Sequence, residues 1–324
     1  MYNLSTRLRG TQRDRDAHFP PYDSTAEEGR EDPLLMTLVA IVTDSAASLP
    51  PSLRAQLNIE VVPLNLILDS QSFPDEAGSN GNFYQMLKAA RGIPKTAGAS
   101  PGDHLAAMRR AAERAPAILC ITVATRISGT FDAAVEAAGL LRQERPDVRV
   151  EVIDSQSAAM GQGFVVLEAA RLAAQGATLD EVIAHARAVM PHVGLVAVID
   201  TLEYLSRGGR VPRIQAWASA LLSVKPIIEL RERDIHLVTR TRTRRRAVAQ
   251  LIPILEQRGY RGEKLHLCVQ HTAVPQEAEV LAEEARERLQ PAELAVSEFT
   301  LVMGAHTGPG LLALAYYVER NGDA

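Results

Sequence analysis

The chain has 324 residues, 46% of them hydrophobic and 23% charged, with a formal net charge of −4 and a pI near 6.1. That length predicts about two globular domains, and the slight acidic excess argues against nucleic acid or an anionic membrane as the main partner. Its two cysteines, Cys120 and Cys268, each sit in an apolar run, which reads as buried thiols in a reducing compartment and not as a metal site or a nucleophile.

Residues 1–36 are rich in Arg, Asp, Glu, Pro and Gly and lack periodicity, so they are expected to be a disordered leader. Met36 directly precedes the first strand-like run, TLVAIVTDS, and translation from Met36 instead of Met1 is an alternative. The N-terminus has no signal-peptide core, and no apolar stretch approaches the ~18 residues that span a bilayer. A cytoplasmic protein without an integral membrane segment is expected.

From residue 38 onwards, short β-branched runs alternate with Ala- and Leu-rich segments at helical spacing. Strands are predicted at 38–43 and 59–68, a helix at 102–114, a strand at 117–123, a helix at 131–144 and a strand at 148–154. Helices follow at 163–175 and 179–190, and Pro191 then precedes a strand at 193–199. The runs 226–230 and 235–239 read as a hairpin across Arg231 to Asp234. A helix at 244–257, a strand at 265–270, a helix at 275–289 and a strand at 295–301 complete the series. The expected fold class is α/β: a first domain (37–190) with a mostly parallel sheet flanked by helices, and a second (191–324) with a mixed sheet and helices.

Small and hydroxylated residues follow several predicted strands: Asp44 and Ser45, the tract TRISGT at 125–130, and Asp154 and Ser155. In a parallel sheet such ends converge on one edge, where ligands bind. Ser128, Gly129 and Thr130 precede a helix, so they read either as an anion-binding helix start or as an ordinary cap. Ser100 and Pro101 look like an N-cap and first turn after the polar loop that carries Thr96. Three glycines surround His306 in the run Gly304 to Gly310, a density that a plain turn does not require. Gly208 and Gly209 beside Arg210 combine backbone freedom with a cation suited to a carboxylate or phosphate.

Other chemistries find less support. Gly161 and Gly163 start a G-x-G, but Val166 stands at the third glycine, and no phosphate-binding P-loop motif occurs, so ATP belongs to a partner. The histidines show no metal-ligand spacing, and no metal or cofactor is expected. The arginines 240, 242 and 244–246 have no aromatic partners and read as a solvated face or an acidic-protein docking surface. A rival enzyme reading takes Ser128 as nucleophile, His306 as base and Asp44 or Asp154 as orienter of an acyl-ester hydrolase. Against it, Arg126 and Thr130 occupy the glycine positions of a nucleophile elbow.

In their order along the chain, TDSAASLP (43–50), VVPLNL (61–66), PKTAGASPGD (94–103), ISGTFDAA (127–134), VIDSQSAAMGQG (152–163), LEYLSRGGRV (202–211), KPII (225–228) and GAHTGPG (304–310) resemble the DegV family of fatty-acid-binding proteins. The resemblance implies a non-enzymatic carrier that binds a long-chain fatty acid in an inter-domain tunnel. A partner fatty-acid kinase subunit, which holds the ATP, then phosphorylates the carboxyl group for phospholipid synthesis. Carried over by motif, Thr96, Ser128, Gly129 and His306 bind the carboxyl group. Asp44, Ser45, Arg210 and Gly304 support the pocket or its mouth, and Ile214, Trp217, Ala218, Leu221 and Leu222, at helical spacing, line the acyl chain, a stripe that without the resemblance reads as plain core. The chain departs from the family pattern at Ala97 to Ala99 after Thr96, at Ala47, and in the hairpin turn, which lacks its glycine.

Overall fold

The structure, a computed structural model, describes residues 37–68, 71–75, 83–89, 94–210, 224–262 and 264–320. The leader at 1–36 and the five expected acyl-lining residues, Ile214, Trp217, Ala218, Leu221 and Leu222, lie outside the described residues.

The strands are β1 (Val39–Asp44), β2 (Glu60–Val62), β3 (Asn65–Leu68), β4 (Gln71–Pro74), β5 (Lys95–Ala97), β6 (Ala117–Thr122) and β7 (Arg149–Asp154), then β8 (Val193–Val198), β9 (Lys225–Arg231), β10 (Asp234–Thr241), β11 (Leu265–His271), β12 (Glu293–Glu298) and β13 (Leu312–Val318). The helices are α1 (Pro51–Gln56), α2 (Phe83–Ala89), α3 (Pro101–Ala112), α4 (Thr130–Glu144), α5 (Ala159–Ala174), α6 (Leu179–Val189) and α7 (Glu203–Gly208), then α8 (Arg244–Val248), α9 (Leu251–Gln257), α10 (Pro275–Leu289) and α11 (Leu301–Thr307).

The fold is a two-domain α/β arrangement. The first domain holds an all-parallel sheet in the order β2-β1-β6-β7 and a small antiparallel sheet, β4-β3-β5. Strand β1 is buried throughout and β6 nearly so, as expected of strands covered by helices on both faces. The second domain holds a mixed sheet in the order β10-β9-β8-β13-β11-β12, in which only β11 and β12 pair in parallel. Helix α5 is apolar almost all round, and its side chains join one core cluster with residues of both large sheets. Its glycines permit close approach: a Cβ on Gly163 would sit 3.2 Å from the Ala47 carbonyl oxygen.

Several expected elements change form for local reasons. The strand expected at 59–68 divides into β2 and β3, which belong to different sheets; Pro63, between them, has no N–H to continue a ladder. The helix expected at 244–257 breaks after Val248, because Pro253 denies the bond back to residue 249 and its ring crowds that carbonyl. The strand expected at 295–301 ends at Glu298. Beyond it Leu301, Val302 and Ala305 take helical spacing in α11 and bury against the core of the first domain. Strand β13, LALAYYV, has no sequence signature of its own, because a run buried on both faces between β8 and β11 shows no alternation. The hairpin forms as expected, but Glu232 (φ 52°) and Arg233 (φ 69°) take left-handed backbone where glycine is usual. Ser100 and Asp103 close a capping box on α3, with Pro101 in its first turn.

His104, on α3, is fully buried, and neither ring nitrogen finds a partner among the described residues. Burial lowers its pKa from the ordinary 6.5 to about 4, so the folded protein keeps the ring neutral while the unfolded chain takes up a proton below 6.5. That contribution to stability is complete above pH 6.5 and is lost as pH falls towards 4. Replacing His104→Leu is therefore expected to raise the melting temperature, by more at pH 5 than at pH 7.5; an equal gain at both values would contradict the assignment.

Candidate functional site

The C-terminal ends of β1, β6 and β7 converge as the parallel sheet requires. Asp44, the last residue of β1, is fully buried and accepts the N–H groups of Ala46 (3.1 Å) and Val123 (2.7 Å) and the side-chain amide of Gln162 (3.3 Å). It thereby fixes the 45–47 turn, the start of the 123–129 loop and helix α5 to one another. Burial pushes its carboxyl pKa up to about 6, against these three hydrogen bonds.

Between these strand ends and the mixed sheet lies a cavity of about 730 Å³. Its apolar wall includes Leu195 and Ala197 on β8, Ile228 and Leu230 on β9, and Phe299 and Met303 before and within α11. Thr96, Ser128, Gly129, His306 and Arg210 also line it, so all four residues expected to hold a carboxyl group face one space. Thr96 Oγ1 lies 2.8 Å from His306 Nε2, which joins residues 210 positions apart. Ser128 Oγ lies 2.7 Å from Thr130 Oγ1. Gly129, at the N-cap of α4, offers no side-chain cap, and the Thr130 N–H points back to Ser128 Oγ at 3.3 Å.

His306 is held neutral: burial, assisted by the nearby Arg210 cation, lowers its pKa to about 4. Arg210 donates to the carbonyls of Gly208 (2.9 Å) and Thr96 (3.4 Å), which places its exposed guanidinium at the rim beside β5. The two glycines before it do different work. Gly209 has φ 66° and ends α7, whereas Gly208 provides room, since a Cβ there would sit 2.6 Å from His306 Nδ1. The sequence marks the glycine pair but not its contact with His306.

Three expected supporting residues do not line this cavity. Asp44 and Ser45 border a separate cleft of about 270 Å³ with Ser48, Asp75 and Thr300. Gly304 instead packs against α2, where a Cβ would collide with the Tyr84 hydroxyl. Arg126, Arg233 and Asp234, which sequence reasoning did not select, do line the cavity. Arg126 approaches Asp234 at 3.8 Å across the two domains, a proximity with no local signal.

The geometry does not assemble the relay a hydrolase needs. His306 pairs with Thr96 and Ser128 with Thr130; Asp44 is committed to Ala46, Val123 and Gln162, and Asp154 to Thr125 and the Gln156 N–H. Among the described residues no group of three or more His, Cys, Asp or Glu is placed to hold a metal ion, and no helix is long and apolar enough to cross a membrane.

An apolar chamber lined on one side by hydroxyl, amide and neutral imidazole groups has, in an α/β fold, the make-up of a site for a ligand with an apolar body and a compact polar head. The chain belongs to the DegV family: the family described as "Uncharacterised protein, DegV family" matches residues 38–319. A DegV domain-containing protein of Streptomyces coelicolor is 37% identical over 279 residues, covering 85% of this chain and 97% of its own length. Protein DegV of Bacillus subtilis is 29% identical over 280 residues, covering 86% and 98%. Two solved structures superpose with a TM-score of 0.78 each, and both cover 87% of this chain. One is described as fatty acid binding of a DegV family protein from Thermus thermophilus (30% identity, 99% of that chain); the other as DegV, a fatty acid binding protein from Bacillus subtilis (27% identity, 100% of that chain).

Because a Cβ at position 208 cannot coexist with the ring of His306, Gly208→Ala is expected to displace that ring from Thr96. Histidine NMR titration then reads a His306 pKa raised towards the ordinary 6.5; a value still near 4 would contradict the packing.

Proposed function

We propose that this chain binds one long-chain fatty acid, its tail in the 730 Å³ cavity and its carboxyl group at Thr96, Ser128, Gly129 and His306. In this reading residues 37–190 supply most of the head-group site, residues 191–324 cover the acyl chain, and His306 reaches back to complete the head-group site. The observation that carries the reading is the pairing of an apolar chamber with one donor-rich end, in a family whose structures at 30% and 27% identity are described as fatty-acid-binding.

Energetics favour a ligand of this kind. Burying an acyl chain contributes on the order of 0.8 kcal/mol per CH₂, so the tail dominates affinity. A buried carboxylate without partners costs several kcal/mol, so the hydroxyl and amide donors decide which end goes in. Arg210, exposed at the rim, leaves the head group approachable from solvent, which suits presentation to the ATP-binding subunit of a fatty-acid kinase for acyl-phosphate formation. In this reading the chain acts as a carrier and performs no chemistry alone; the support for the kinase partner is the family resemblance.

Native mass spectrometry of the recombinant protein is expected to show one fatty acid per chain, released by solvent extraction and restored by oleate or palmitate. Thr96→Val and Ser128→Ala should each weaken oleate binding about tenfold, the loss of one hydrogen bond to a charged group. A wild-type protein that stays empty after incubation with both acids would sink the proposal.

A further inference from the structure

Ser128 and Thr130 share one short hydrogen bond, and burial decides its direction. Thr130 is fully buried, and its hydroxyl has no acceptor among the described residues other than Ser128 Oγ, 2.7 Å away. A buried O–H left without an acceptor is costly, so the Thr130 proton goes to Ser128 Oγ. That oxygen also receives the Thr130 N–H. With two donors directed at its lone pairs, the Ser128 hydroxyl has only its own proton left to give, and Ser128, half-buried, faces the cavity. Gly98 completes the enclosure: a Cβ there would lie 3.1 Å from Thr130 Oγ1.

We infer that Thr130 is a positioning residue that turns the Ser128 proton towards the cavity, making the head-group site selective for groups that only accept hydrogen bonds. The inference rests on the fatty-acid reading above and narrows it to the ionised carboxylate. Beside Ser128 the Gly129 N–H, which has no acceptor among the described residues, is a donor of fixed direction. Two adjacent donors suit the oxygens of a carboxylate, which only accept. An alcohol fits worse, since its proton must find an acceptor and the Ser128 lone pairs are already taken. Thr96 does not impose this selection, because its partner His306 Nε2 donates or accepts according to tautomer. Selectivity is therefore concentrated at Ser128, through Thr130.

The test compares oleate with oleyl alcohol, by displacement of a fluorescent fatty acid from delipidated protein, in the wild type and in Thr130→Val, Thr130→Ala and Thr130→Ser. The Val and Ala variants lose the orienting donor and are expected to bind oleate about fivefold to tenfold more weakly, with oleyl alcohol changed less than about twofold. Thr130→Ser keeps the hydroxyl and should restore the wild-type preference, which a purely steric role for Thr130 would not require. Should Val fail to fold, Ala serves the same purpose with a smaller side chain. A wild type that prefers oleate, with variants that keep the same oleate-to-alcohol ratio, overturns this inference alone. A wild type that binds no oleate overturns the fatty-acid reading and this inference with it.

Discussion

One buried carboxylate organises the head-group region. Asp44 ends a fully buried strand, and isolating a charge there costs several kcal/mol unless donors surround it. The donors come from three separate places: the turn that follows β1, the loop that follows β6, and helix α5. Satisfying Asp44 therefore sets the relative positions of the segments that floor the cavity, Ala46 and the 123–129 loop among them. Asp44 is not itself a cavity residue; its effect on the ligand site passes through these neighbours.

A second buried carboxylate joins the domains in a similar way. Asp75 accepts Ser45 Oγ at 2.6 Å and the Val302 N–H at 2.9 Å, which fastens the start of α11 to the turn beside Asp44. Helix α11 then packs its apolar face on the first domain and delivers His306 to Thr96. The polar end of the cavity is consequently a composite: Thr96 from a small sheet, Ser128 and Gly129 from the head of α4, and His306 from a helix near the far end of the chain. Burial keeps the imidazole uncharged, so the charged groups of the cavity lining are Arg210 at the rim and Arg126, Arg233 and Asp234 beside the hairpin.

What the sequence disclosed, and what it hid, follows from the range of the forces involved. Periodicity and strand-end composition mark the parallel sheet, the hairpin and the loop bearing Ser128, because these are local properties of β-branched runs and small polar residues; the segment expected to be a polar loop around Thr96 instead forms strand β5, which only pairing with β3 reveals. The ordered motifs, not the periodicity, associated His306 with them; 210 residues separate it from Thr96, and no pattern in its own segment names a partner. Strand β13 has no alternation to show because it is buried on both faces, and α11 is masked because its seven residues carry a single short apolar stripe directly beyond a β-branched strand run. Asp44 and Ser45 do lie at the strand end that their motif implies, but their side chains turn to the protein's own amides and to Asp75 instead of the cavity. Arg126 and Asp234 became neighbours only through docking of the hairpin tip against the Ser128 loop.

The central claim is that a fatty-acid carboxylate sits, ionised, among the donors at Thr96, Ser128 and Gly129. The most direct measurement is the carbon-13 NMR signal of oleate labelled at C1 and bound to the protein, followed between pH 7.5 and pH 4.5. A bound carboxylate should give one signal distinct from that of free or micellar oleate, hold its ionised chemical shift well below the pH at which micellar oleate takes up protons, and move when Ser128 is replaced by alanine. A signal that follows micellar oleate through the titration, or that ignores the Ser128 replacement, would contradict it.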